Sequence, residues 1–197
     1  MLATATAMAR ATATVTVGSA DVARQVQLTR ATLRPRRPVP GMGVLDPSVT
    51  RMRVRPGDLD FYLHVNNGTY LQMMDVARSN YIADVGGFPL FNERRWYPVV
   101  ASQTVTYKRS LTLGQRFEIT TRVVGWDPRV VYLEQLFSRG GRQVARGWVA
   151  GRFLTRGSGE RVPAPDAIAL LDAGAVAPEL PADIAAWAHA VGVAHRG

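Results

Sequence analysis

The sequence predicts an α+β domain in which one long helix packs on an antiparallel sheet of about five strands, followed by a helical tail. Three observations carry this. Tyr70, Met74, Ala77, Tyr81 and Val85 recur at i, i+4, i+7, i+11 and i+15, which is one stripe of a helix. Phe117, Ile119, Thr121 and Val123 alternate with Arg116, Glu118, Thr120 and Arg122, as in a strand with one buried face. Arg139-Gly140-Gly141-Arg142 separates two β-rich runs and reads as a hairpin turn. A helix with an apolar stripe must bury it, and the sheet is the surface on offer.

The elements follow in order. Ser48 to Arg55 alternates imperfectly and predicts a short strand, broken by Pro56-Gly57-Asp58. Asn66 and Asn67 are suited to capping the helix that follows, Thr69 to Val85, which Gly86-Gly87 ends. Tyr97 to Tyr107 is rich in Val and Thr and predicts a strand. Trp126 to Arg129 reads as a turn, Val130 to Phe137 as a strand, and Val144 to Thr155 as a long last strand. Gly147 and Gly151 inside that strand predict a close backbone approach or a bend. Helices are expected over Ala167 to Asp172 and Pro181 to Val191. The organisation expected is a basic, flexible leader over residues 1–45, a folded domain over 46–162 and a helical tail over 163–197.

Composition narrows the chemistry. The chain has 197 residues, 47% of them hydrophobic, enough for a sizeable core. It has no cysteine, which removes disulfides, thiolate-held metals and a thiol nucleophile. Its three histidines, His64, His189 and His195, are not spaced as a metal site, and neither a metal nor another cofactor is expected. No stretch approaches the roughly 20 apolar residues of a membrane span. The leader is acid-poor and ends in a Pro- and Arg-rich run, a composition that cannot build a core. The net charge of +9 attracts anionic partners without choosing among them. Nucleic acid is not the expected partner, and a cytoplasmic location is expected.

Chemistry concentrates between Asp58 and Tyr70. Asp58, Asp60, His64, Asn66 and Asn67 lie just before the predicted helix start. A helix start offers unpaired N–H groups and the positive end of the macrodipole. Such donors can hold a carbonyl oxygen as negative charge develops on it. A nearby carboxylate can attack that carbonyl or activate water. Plain capping is the competing reading of these same residues.

Gly57-Asp58-Leu59-Asp60, His64-Val65-Asn66-Asn67, Tyr70 and Asp75-Val76-Ala77-Arg78 together resemble the hotdog-fold thioesterases of the 4-hydroxybenzoyl-CoA thioesterase type, in their broad thioesterase-like branch. Tyr107-Lys108-Arg109-Ser110-Leu111-Thr112-Leu113-Gly114 resembles a further family segment. The likeness runs from about Val49 to Thr155. It implies a hotdog fold, an acyl-CoA substrate, a homodimer or a tetramer of dimers, and an active site between subunits. It implies Asp60 as the catalytic carboxylate, the Asn67 backbone N–H as oxyanion donor, and His64 as a group that orients water. Gly68 would let the acyl group approach, with Tyr62 and Tyr70 beside it. Lys108, Arg109 and Arg129 would contact the phosphates of coenzyme A. Asp58 is expected to shape the loop, and Asp75 to pair with Arg78. Phe61-Tyr62-Leu63 departs from the family, where a small residue precedes the His. The activity implied is hydrolysis of an acyl-CoA thioester. The alternative is an acyl or acyl-CoA binding protein using the same pocket without turnover.

Overall fold

The computed structural model describes residues 19–195. In chain order the elements are α1 (Ser19–Leu33), β1 (Ser48–Arg53), a 3-10 turn at Pro56–Asp58, α2 (Asn67–Asp84), α3 (Gly87–Glu93), β2 (Trp96–Tyr107), β3 (Arg116–Trp126), β4 (Val131–Arg139), β5 (Arg142–Thr155), β6 (Arg161–Val162), α4 (Ala164–Leu171) and α5 (Ala182–Ala190). The sheet is antiparallel in the order β1-β3-β4-β5-β2, with β6 pairing on β5. It curls around α2, which is the hotdog arrangement.

The helix forms where its stripe predicts. Asn66 caps it, its side chain accepting a hydrogen bond from the Gly68 N–H. Tyr70, Met73, Met74, Ala77 and Tyr81 are buried in the main core against Phe117, Ile119, Phe137 and Val149 of the sheet. At β3 the alternation holds from Arg116 to Val123. A bulge between Val123 and Gly125 then shifts the register, and the strand runs on through Trp126 instead of turning there. Beyond the bulge both faces are covered. Val124 joins Tyr132, Ala150, Ile184 and Ala188 in a second cluster, where α5 packs on the outer face of the sheet. Gly140 and Gly141 both take positive φ, 54° and 72°, as a two-residue hairpin with the twist of its strands requires.

The leader expectation needs correction over residues 19–45. Residues 1–18 lie outside the described residues, but α1 packs against α2 and buries Arg24. The segment after α1 straps the end of α2. The Val39 N–H donates to the Asp84 carbonyl at 2.8 Å, and Arg36 Nη2 donates to Asp84 Oδ2 at 2.7 Å. Ser48 Oγ donates to the same carboxylate oxygen at 2.7 Å, and Tyr81 Oη donates to the Val44 carbonyl. Acid-poor composition misleads here because the acids that meet these arginines, Asp58 and Asp84, lie later in the chain. The short helix α3, seated by buried Phe91, is a further element that the sequence patterns above do not predict.

Candidate active site

The loop from Asp58 to Asn66 is closed at its base by backbone. The Asn66 N–H donates to the Asp58 carbonyl at 2.8 Å, Leu59 bridges Val65, and the Asp60 N–H donates to the His64 carbonyl at 2.8 Å. Asp60 sits at the narrow end of this loop. Its Oδ1 accepts the N–H groups of Tyr62 at 2.9 Å and His64 at 3.2 Å. Its Oδ2 has no hydrogen-bond partner among the described residues. At the start of α2, Asn66 occupies two donors: its side chain takes the Gly68 N–H at 2.8 Å, and its carbonyl takes the Thr69 N–H at 2.9 Å. That leaves the Asn67 N–H as the donor at the helix start without a partner among the described residues.

Asp60, His64, Asn67, Tyr70, Lys108 and Arg109 share the wall of one surface pocket of about 320 Å³. Six of the nine residues singled out in the sequence therefore meet. Lys108 and Arg109 reach the pocket because both of their N–H groups donate to the Val144 carbonyl. Their side chains rest on Gln143, through Lys108 Nζ at 3.3 Å to Oε1 and Arg109 Nη1 at 2.6 Å to the carbonyl. Tyr70 is buried, and its phenol is pushed up to about 12, chiefly by burial, with the Leu111 backbone hydrogen bond pulling it down and Tyr107 adding to the rise.

Three expected residues stand apart. Gly68 lies in the first turn of α2, off the pocket wall, with its N–H spent on Asn66. Tyr62 is 76% exposed, edge to face with Phe61, which is 94% exposed. Leu63, which follows them, takes a positive φ of 61° and is itself 69% exposed. Arg129 belongs to the β3–β4 turn, where its N–H donates to Asp127 Oδ1 at 2.7 Å. Val131, just after it, pairs with Gly151, whereas Tyr107 pairs with Ala145. Six residues of β5 separate the two positions, about 20 Å at the rise of a strand. Within one chain, Arg129 cannot join Lys108 and Arg109.

Tyr107 also belongs to the pocket, beyond the nine residues expected there. Its Oη donates to the Asn67 carbonyl at 3.2 Å, and its ring stands edge to face on Tyr70 with centroids 5.0 Å apart. Its position at the end of a β-rich run, just before the basic pair, was the available signal. Asp58 is 1% exposed and paired with Arg24, so it faces away from the pocket into the core.

A second cavity, of about 220 Å³, lies deeper between α2 and the sheet, lined by Tyr81, Phe91, Val99, Leu133 and Phe153. Asp75 and Arg78 form an ion pair at its wall, and Arg78 Nη1 donates to Gln135 Oε1 at 2.8 Å. Burial pushes the Asp75 carboxyl up, and the Arg78 charge opposes that rise. This cavity is the more apolar of the two and contains none of the loop residues. The polar groups that could act on a carbonyl sit in the open pocket, so the two spaces suit different parts of a ligand.

The sequence pattern of the thioesterase-like superfamily matches residues 54–187. The protein THEM6 of Danio rerio is 42% identical over 94 residues, which cover 48% of this chain and 46% of that protein. The chain thus spans about half the length of the THEM6 relatives it matches. The long-chain acyl-CoA thioesterase FadM of Escherichia coli is 27% identical over 89 residues, covering 45% of this chain and 67% of that protein. The crystal structure of YbaW, a probable thioesterase from Escherichia coli, superposes with a TM-score of 0.59 at 22% identity, over 62% of this chain and 94% of that one. That last likeness is one of fold. The matched pattern takes in the pocket, the helix behind it and the sheet around both, and the chain belongs to the thioesterase-like superfamily.

Proposed function

We infer that the protein hydrolyses an acyl-CoA thioester. The observation that carries this reading is the meeting, in one pocket, of Asp60, the unpaired Asn67 N–H and the basic pair Lys108 and Arg109. The Asn67 N–H, at the positive end of α2, holds the thioester carbonyl oxygen and gains strength as that oxygen becomes an oxyanion. Asp60 takes the proton from an attacking water, or attacks the carbonyl itself. In the first case the water oxygen bonds to the carbonyl carbon, the C–S bond breaks, and coenzyme A leaves as a thiolate. In the second an Asp60 oxygen forms a mixed anhydride as the C–S bond breaks and the thiolate leaves, and water then cleaves the anhydride to release the acid and restore the carboxylate. A thiolate is a good leaving group, so no strong acid is needed beside the sulfur. His64, on the same wall, orients the water. Lys108 and Arg109 meet the phosphates of the carrier, and Arg129 has no part in this within the same chain. The acting assembly is a homodimer, in which the apolar cavity receives the acyl chain.

Membership of the thioesterase-like superfamily and the acyl-CoA thioesterase named FadM among its relatives agree with this chemistry. The test is Asp60→Asn, which keeps the shape and removes the charge. On an acyl-CoA panel that the wild type turns over, kcat should fall about 10²–10⁴-fold, the range for losing a general base, with binding little changed. Near-full activity in this variant would remove Asp60 from the mechanism. A wild type that binds these thioesters without hydrolysing any would favour a binding protein instead.

A further inference from the structure

Arg24 lies outside the matched family segment and is nevertheless among the most deeply buried side chains in the described protein. Its Nε donates to Asp58 Oδ1 at 2.7 Å, and its Nη2 pairs with Asp58 Oδ2. Nη1 donates to Gln27 Oε1 at 2.6 Å, and Nη2 to the Arg53 carbonyl at 3.3 Å. The guanidinium thus grips one carboxylate through both oxygens, across 34 residues of sequence. Asp58 is the corner that the pocket is built on. Its Oδ2 also accepts the Arg55 N–H at 2.7 Å, which fixes the turn entering the loop. Its carbonyl accepts the N–H of Asn66, the residue that caps α2. One clamp therefore holds the loop carrying Asp60 and the helix start carrying the Asn67 N–H.

We propose that Arg24 is a positioning residue for the thioester site, setting through Asp58 the distance between Asp60 and the Asn67 N–H. The proposal rests on the catalytic reading of those two groups. A buried ion pair is not needed for stability alone, since well-packed apolar groups often serve as well. A bidentate grip on the base of an active loop supplies geometry instead. Lys108 and Arg109 are tied to Gln143 and Val144, beside the β4–β5 turn, and have no bond to α1 among the described residues. Losing Arg24 should therefore disturb the chemical step and spare carrier binding.

The experiment compares the full chain with Arg24→Met, Arg24→Lys and the double variant Arg24→Met/Asp58→Asn. Each is measured for kcat and KM on a thioester the wild type hydrolyses, for melting temperature, and for amide hydrogen exchange along the chain. Arg24→Met should lower kcat about tenfold or more with KM within about twofold, consistent with the sensitivity of catalysis to misplacement of its groups. Exchange should quicken at 60–67 and stay slow in the second half of α2. Arg24→Lys, which keeps the charge without the fork, should fall between. The double variant removes the unpaired buried carboxylate and so should recover melting temperature while kcat stays low. Recovery of kcat together with stability in the double variant would overturn the proposal, because Arg24 would then act only on folding. So would a rise in KM with kcat intact. If the wild type hydrolyses no thioester, the catalytic reading fails by itself, and unchanged exchange at 60–67 in Arg24→Met still overturns the clamp.

Discussion

Gly147 shows how tightly α2 sits on the sheet. A Cβ at this position would lie 2.5 Å from Met74 Cε, 2.9 Å from its Sδ and 3.3 Å from the Thr104 carbonyl oxygen. Met74 is flexible at that end, but it is fully buried, so it must repack among buried neighbours, and the Thr104 carbonyl oxygen is backbone that yields less. Gly147→Ala should therefore destabilise the protein by about 1–3 kcal/mol, the usual result of overpacking, read as a lower denaturation midpoint at unchanged m-value. Gly151 serves as the internal control. Its nearest neighbour is Leu133 Cδ1 at 3.7 Å, ordinary contact, and Gly151→Ala should be close to neutral. The sequence marked both glycines alike. Only the packing separates them, since one lies under the helix and the other beside the apolar cavity. A similar division separates the two acids of the loop. Asp58 is spent on Arg24 and Arg55, while Asp60 keeps one oxygen unengaged among the described residues.

The elements are joined by a small number of carboxylates, and Asp127 is one of these joints. Its Oδ1 accepts the N–H groups of Arg129 and Val130 and closes the β3–β4 turn. Its Oδ2 accepts Tyr132 Oη at 2.7 Å and the His195 N–H at 3.0 Å, tying the end of the tail to the sheet. Burial alone would push this carboxyl up, but the hydrogen bond from Tyr132 and those from the three backbone N–H groups outweigh it and hold the carboxyl below its ordinary value. A depressed folded pKa gives stability that is complete above the unfolded value near 4 and is lost as pH falls through the folded one. Asp127→Asn should thus cost on the order of 1–2 kcal/mol at pH 7. The gap from wild type should hold from pH 7 to pH 5 and shrink below about pH 4. Urea unfolding across that range checks it, and a gap independent of pH would mean that charge plays no part in the joint. These joints also mark the limit of what the sequence discloses. The helix stripe, the strand alternation, the Gly-Gly hairpin and the loop motif are local patterns, and they place α2, the strands and six pocket residues. Arg24 finds its acid 34 residues away and Arg36 finds its acid 48 residues away, so no local window contains either pair. The residues before β1 therefore read as loose leader although 19–45 carry a docked helix and a strap. The position of Arg129 is hidden for the same reason, because register between distant strands decides which end of the sheet it occupies.

At the scale of the whole molecule, the two edges of the sheet are unlike. The β1 edge is six residues long, with Arg51 and Arg53 pointing outward, Arg51 paired to Glu118. A short, charged edge resists pairing with another chain. The β2 edge is twelve residues long and contains no charged side chain from Trp96 to Tyr107. Val100 and Tyr107 on it are each 42% exposed. A long, uncharged edge with open backbone donors and acceptors is a template for a second strand, and in the homodimer proposed above a second copy of the chain would supply one about a two-fold axis. Antiparallel pairing of β2 with itself would set the Tyr107 end of one chain beside the Pro98–Val100 end of the other. Tyr107 borders the polar pocket, and Pro98, Val99 and Val100 border the apolar cavity. A thioester held at one chain's Asn67 would then have its acyl chain directed at the partner's cavity, a use for two spaces that a single chain keeps apart. The expected mass in light scattering at micromolar concentration is twice the 21.5 kDa of the chain, or a further doubling of that. Val100→Lys places like charges near the axis of this pairing. It should shift the mass toward a single chain and lower turnover far more than it lowers the melting temperature of the separated chains. A wild type that scatters as one chain would overturn the dimer itself, and a Val100→Lys variant that stays dimeric and fully active would place the interface elsewhere than β2.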